Sequence, residues 1–160
     1  MSLCLSCGLC CDGTMFTLVR LDEGEADRLE GRVKLTEDRV HLQQPCVALK
    51  SDRCCAVYED RPKICRAYRC LALSGLESGR MTATEAQELI DEVLERRRAL
   101  ARVLQLDDVH AAVALARKQE GAGSAREDVA EALSRLRRAL LILQLTPDDP
   151  IIGKRAEPSP

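Results

Sequence analysis

All nine cysteines of this chain lie between residues 4 and 70, in the order Cys4-x2-Cys7-x2-Cys10-Cys11, then Cys46, Cys54-Cys55, Cys65 and Cys70. That distribution constrains the fold more than any other feature. If the sulfurs act together, a long loop must close to bring residues 4–11 beside residues 46–70. The stretch from Cys54 to Cys70 holds four of the cysteines and both tyrosines, Tyr58 and Tyr68.

The rest of the 160-residue chain is of a different kind, rich in Ala, Leu, Glu and Arg, and the change falls near 74–79. A chain of this length holds one ordinary domain or a small domain with an extension. We therefore expect an α+β protein: a small, loop-rich cysteine-cluster domain over 1–75, a helical extension over 80–146 and a mobile tail over 147–160. Aromatic residues make up only 2% of the chain, with no tryptophan. A unit of roughly 70 residues with so little large apolar bulk rarely supports itself on its core alone. A bound metal, contributing on the order of 10 kcal/mol, is large enough to decide whether such a unit folds.

Charge and hydropathy remove other classes. Net charge is -2, with 11 basic against 11 acidic side chains in residues 1–75 and 13 against 15 in 76–160. No basic face for nucleic acid stands out; Arg96-Arg97-Arg98 and Arg135, Arg137 and Arg138 are interleaved with acids at helical spacing. No segment reaches the roughly 18 apolar residues of a membrane span, and the N-terminus has no signal pattern. These features predict a cytoplasmic protein, where a reducing environment favours metal or redox chemistry over a disulfide framework.

Local signals place the cysteines. Gly8 and Gly13 among four cysteines read as a tight knuckle, neither helix nor strand. Residues 15–21 read as a strand, with a second extended piece at 32–35 pairing with it and a further short one at 47–49. Asp22 to Glu25 reads as a helix start, closed by Gly31. Arg61-Pro62 predicts a short helix beginning at the proline and ending near Tyr68 or Arg69. It carries Cys65 in its first turn, where the helix dipole favours a thiolate. Beyond Gly79, Thr82-x2-Glu85 and Ser124-x2-Glu127 read as capping boxes, and Asp107 or Asp108 as the cap of a helix running to about Gln119. Apolar residues repeat at helical spacing through all three segments, predicting a hairpin or three-helix bundle. One of these apolar stripes could instead serve a protein partner or dimerisation. His110 reads as a surface or boundary residue, and no spacing singles out His41 as a ligand.

Thiolates bind borderline and soft metals, and four in tetrahedral array hold structural zinc or an iron-sulfur cluster. Cys4-x2-Cys7-Gly8 has the form of a zinc knuckle, while Cys4-x2-Cys7-x2-Cys10 also begins ferredoxin motifs, so spacing alone does not choose the metal. Adjacent cysteines such as Cys10 and Cys11 point in different directions, which implies two sites or one site with a spare thiol. Arg61 and Arg66 are candidates to offset thiolate charge by hydrogen bonds, and Tyr58 and Tyr68 to pack beside the cluster.

The set Cys4, Cys7, Gly8, Cys10, Cys11, Cys46, Cys55, Tyr58, Arg61, Pro62, Cys65, Arg66, Tyr68 and Cys70 resembles the bacterial YkgJ-like cysteine-cluster family of zinc- or iron-chelating domains. The resemblance covers about residues 3–72. It implies metal chelation by Cys4, Cys7, Cys10, Cys11, Cys46, Cys55, Cys65 and Cys70, and leaves Cys54 supernumerary. It carries no catalytic residue and nothing for the helical half. The function expected is a metal-binding protein whose zinc, iron or iron-sulfur cluster is structural or stored. The alternatives are an iron-sulfur-dependent enzyme or enzyme subunit, methylating protein lysine by family analogy, and a thiol redox switch.

Overall fold

The computed structural model describes residues 3–144, so the tail expected over 147–160 lies outside the described residues. The chain forms two compact units, Met1–Tyr68 and Arg69–Pro160.

The first unit is mostly turns around a small core. It contains α1 (Leu3–Cys7), β1 (Leu18–Arg20), α2 (Glu25–Arg28), β2 (His41–Gln43) and α3 (Lys63–Ala67). β1 and β2 pair antiparallel, Leu18 opposite Gln43 and Arg20 opposite His41. The partner expected for β1 was the piece at 32–35. Instead 32–35 supplies only an isolated bridge, Leu35 to Leu42, on the other side of β2, with the Gln43 N–H donating to the Lys34 carbonyl at 2.8 Å. The alternation explains the choice: Val19 and Leu42, opposite one another, both turn into the core, where they join Leu21, Leu29, Ala48 and Val57. The expected strand at 47–49 reduces to one bridge, Leu49 to Cys55.

The N-terminal cysteines also depart from expectation, since residues 3–7 form one helical turn. The knuckle begins after it, at Gly8, whose φ of 65° is the left-handed conformation that glycine adopts without strain. α2 is shorter than expected, with Gly24 at its N-cap. The Glu25 carboxylate does accept the Asp22 N–H at 2.9 Å, as a capping acid three residues on should.

The second unit is helical: α4 (Leu71–Glu77), α5 (Ala83–Leu104), α6 (Val109–Gly121) and α7 (Glu127–Gln144). Both halves of the capping box at Thr82 and Glu85 are formed, and Asp108 caps α6 through the His110 and Ala111 N–H groups. Ser124 does not cap α7; its hydroxyl donates to the Gln119 carbonyl at 3.2 Å and closes the end of α6 instead. α5 packs on α4, α6 and α7. Their apolar stripes meet in a core that includes Ile90, Val93, Leu100, Val129, Leu133, Leu136 and Leu143, each at most 1% exposed. Met81 lies so close to α4 that a Cβ added at Gly75 would stand 2.6 Å from its Sδ. No described helix is long and apolar enough to cross a membrane.

Candidate metal centre

The knuckle is built by backbone bonds. The Cys11 and Asp12 N–H groups both donate to the Gly8 carbonyl at 2.9 Å, and the Met15 N–H reaches the Leu9 carbonyl at 3.2 Å. Leu9 is fully buried and anchors the turn by its side chain. The adjacent cysteines then diverge, as expected of consecutive residues. The Cys10 thiol lies 3.7 Å from the Met15 Sδ, whereas Cys11 is within electrostatic range of Cys46, Cys55 and Cys65.

Three further segments deliver those partners. The Cys46 N–H donates to the Cys11 carbonyl at 2.7 Å, joining the two segments directly. From Cys46 the chain turns back on itself: the Ala56 N–H bonds the Ala48 carbonyl at 2.7 Å, the Lys50 N–H bonds the Cys54 carbonyl at 2.9 Å, and Cys55 bridges to Leu49. Cys65 rides on α3, which closes at its C-cap Tyr68, near the end expected, and has Pro62 as its N-cap where the proline was expected to be its first residue. A long-range bond fixes the start of this helix, where the Lys63 N–H donates to the Glu25 carboxylate at 2.8 Å. Cys46, Cys55 and Cys65 pack against the core formed by Val19, Leu21, Leu29, Leu42, Ala48 and Val57.

Electrostatics in this pocket of sulfur oppose ionisation. Burial, and then the neighbouring thiols Cys46, Cys55 and Cys65, push Cys11 up from 9.0 to about 12. Burial, Cys46 and Cys55 push Cys65 up to about 11, against the nearby Arg61, which lowers it. Cys46 is raised chiefly by burial. In the metal-free chain, burial beside other thiols works against the thiolate expected at Cys65 from the helix dipole, and a helix of five residues offers only a weak field to oppose it.

The other candidates take the following positions. Cys4 is exposed on α1, and Cys7 ends that helix. Cys54 donates its N–H to Asp52 at 2.9 Å at the tip of the turn. Cys70 belongs to the second unit, where it is the N-cap of α4. His41 lies on β2 and His110 at the start of α6. Arg61 stacks its guanidinium 3.5 Å over the ring of Tyr58 and donates Nε to the Tyr58 carbonyl at 2.7 Å. Tyr68 meets Phe16 edge-on, with ring centroids 5.1 Å apart. The Arg66 N–H continues the helix to the Pro62 carbonyl at 3.1 Å.

Two charged residues that the sequence did not single out are built into the same region. Asp12, 1% exposed, accepts the Thr14 N–H at 2.9 Å and pairs with Arg53 at 3.1 Å. Glu25, 4% exposed, holds the Asp22 and Lys63 N–H groups and the Arg28 guanidinium. Only their places beside a cysteine pair and in a helix start hinted at these roles.

As a donor set, Cys11, Cys46, Cys55 and Cys65 fit a thiophilic ion in type and number: three pack on one core and the fourth, Cys11, lies within electrostatic range of them. Among the described residues, no three or more His, Cys, Asp or Glu side chains stand in an arrangement that could hold an ion. Convergence is formed, and ligating geometry is not.

Residues 3–92 match the model of the CxxCxxCC family, described as "Putative zinc- or iron-chelating domain". The chain belongs to this family. The match extends past Cys70, where the cysteine motif ends, through α4 and into α5. No curated protein and no solved structure matches the chain. Membership in CxxCxxCC supports metal binding in general, and a zinc or iron cofactor as its class.

Proposed function

We propose that this CxxCxxCC protein binds one zinc or iron ion through Cys11, Cys46, Cys55 and Cys65, and that the ion is chiefly structural. The observation that carries this reading is that Cys46, Cys55 and Cys65 pack against one small core, while Cys11 is tied to Cys46 by a backbone hydrogen bond and lies within electrostatic range of all three. Thiols buried together resist ionisation, and a cation among them reverses that preference by making the thiolate the stable form. Each ligand would tie its segment to the others: the knuckle through Cys11, the turn through Cys46 and Cys55, and α3 through Cys65. Unit 1 has three-residue strands and a six-residue buried cluster, so it has the most to gain from such cross-linking.

Arg61, which lowers the Cys65 pKa, would offset part of the negative charge of a four-thiolate site. A cytoplasmic location suits a chain with nine cysteines in its first 70 residues.

Chelator treatment of the metal-loaded protein tests the reading. Full metal removal is expected to lower the thermal midpoint and to open unit 1 to proteolysis while the helical unit persists. An unchanged midpoint and cleavage pattern after complete removal would show that the ion has no structural role.

A further inference from the structure

A partly buried ion pair, not itself a metal ligand, links the two segments that carry adjacent cysteines. Asp12 directly follows Cys10-Cys11, and Arg53 directly precedes Cys54-Cys55. Across this gap Arg53 donates Nη2 to the Asp12 carboxylate at 3.1 Å and Nε to the Cys7 carbonyl at 2.8 Å, with Nη2 also directed at the same carbonyl. The carboxylate is 1% exposed and its other oxygen accepts the Thr14 N–H. The guanidinium also lies against Gly8, close enough that a Cβ there would stand 3.0 Å from Nη2. One side chain thus grips both ends of the knuckle, before Cys10 at Cys7 and after Cys11 at Asp12.

The backbone of Arg53 is unusual as well, a feature it shares among the described residues with Arg39 and Gln105. Its φ is 66°, a left-handed conformation that costs a non-glycine residue free energy and is common where local strain serves a site. Glycine would suit that turn better. An arginine there makes sense for what its side chain reaches.

We propose that Asp12 and Arg53 form a clasp that holds the knuckle and the Cys54-Cys55 segment in register for one metal ion, acting as positioning residues. The proposal rests on the metal-binding reading above and extends it. With the clasp closed, Cys11 and Cys55 are brought to the same side of the core before an ion arrives. An ion then gathers thiols that are already close. With the clasp open, part of the ion's binding free energy goes into ordering the two segments.

Three variants separate positioning from mere stability. Asp12→Asn keeps the shape and the Thr14 acceptor but removes the charge. Arg53→Lys keeps a charge beside Asp12 but loses the fork that spans two acceptors. Arg53→Gly removes the side chain while relieving the backbone. Zinc affinity is measured by chelator competition on folded protein well below each melting midpoint, and the thiolate-to-cobalt charge-transfer spectrum is recorded after cobalt substitution. Asp12→Asn and Arg53→Gly are expected to weaken zinc binding about 10- to 100-fold, the range for residues that orient ligands, with Arg53→Lys between them and wild type and with altered cobalt spectra.

Wild-type affinity and an unchanged spectrum in the folded variants would overturn the proposal, however far their midpoints fall. If Asp12→Asn does not fold, the two Arg53 variants decide. Wild-type protein that binds neither zinc nor iron would instead overturn the metal-binding reading itself.

Discussion

Raising the pH of the metal-free protein should destabilise it through Cys11 and Cys65. In the folded chain these thiols are pushed from 9.0 to about 12 and about 11, burial being the largest cause for both and neighbouring thiols the next. Each tenfold drop in acidity corresponds to ~1.4 kcal/mol, so ionising them in place costs about 4 and about 3 kcal/mol more than in the open chain. The unfolded chain releases both protons near pH 9 while the folded chain keeps them. The stabilising preference is thus fully present below pH 9 and is lost as pH rises from there through 11 and 12. At pH 10 the loss is about 1.4 kcal/mol per thiol, or ~3 kcal/mol together.

Urea denaturation at pH 8 and pH 10, with a Cys11→Ala/Cys65→Ala variant as reference, measures the difference. NMR of carbon-labelled cysteine resolves each thiol's own titration. With zinc bound the sign reverses, because binding displaces protons and strengthens as pH rises toward 9. The reasoning fails if Cys11 and Cys65 ionise near pH 9, or if metal-free stability does not fall between pH 8 and 10 relative to the reference.

Other consequences follow from single contacts. Glu25→Ala strips the acceptor from the Asp22 and Lys63 N–H groups and from Arg28. It should cost about 1–3 kcal/mol in chemical denaturation and loosen the start of α3 in hydrogen exchange. Gly75→Ala drives a methyl group to 2.6 Å from the Met81 Sδ and should cost about 1–3 kcal/mol. Gly75→Ala/Met81→Ala should recover part of that loss, and a strictly additive double variant in thermal melts would show that the contact is not responsible.

The helical half was the more legible part of the sequence. Thr82 with Glu85, the Asp108 cap and the apolar stripe of Val129, Leu133, Leu136, Leu140 and Leu143 are local signals, and a helix closes its hydrogen bonds locally. Ser124 misled because a hydroxyl near a helix start can bond backward as easily as forward, and here it bonds Gln119. The short helix after Pro62 was legible for the same local reason.

The first unit was harder because its pairing is non-local. Residues 15–21 and 32–35 both have strand composition, and only the opposition of Val19 to Leu42 decides which segment pairs with β1. The cysteine pattern offered eight candidate ligands as one set. It did not separate the proposed Cys11, Cys46, Cys55 and Cys65 from Cys4, Cys7, Cys10 and Cys70, because that depends on how distant segments fold together. Asp12 and Arg53 were illegible for a related reason: burial of a charged residue depends on partners that are distant in the chain, here 41 residues apart. Glu25 was legible as a capping acid, and its bond to the Lys63 N–H was not.

The most direct test is elemental analysis of the protein purified without oxygen, beside its Cys11→Ser, Cys46→Ser, Cys55→Ser and Cys65→Ser variants. The account predicts at least one zinc or iron per chain in the wild type, and loss of one ion in each of the four variants. Wild-type protein free of both metals that also fails to take them up, or four variants that each keep the full wild-type complement, would contradict it.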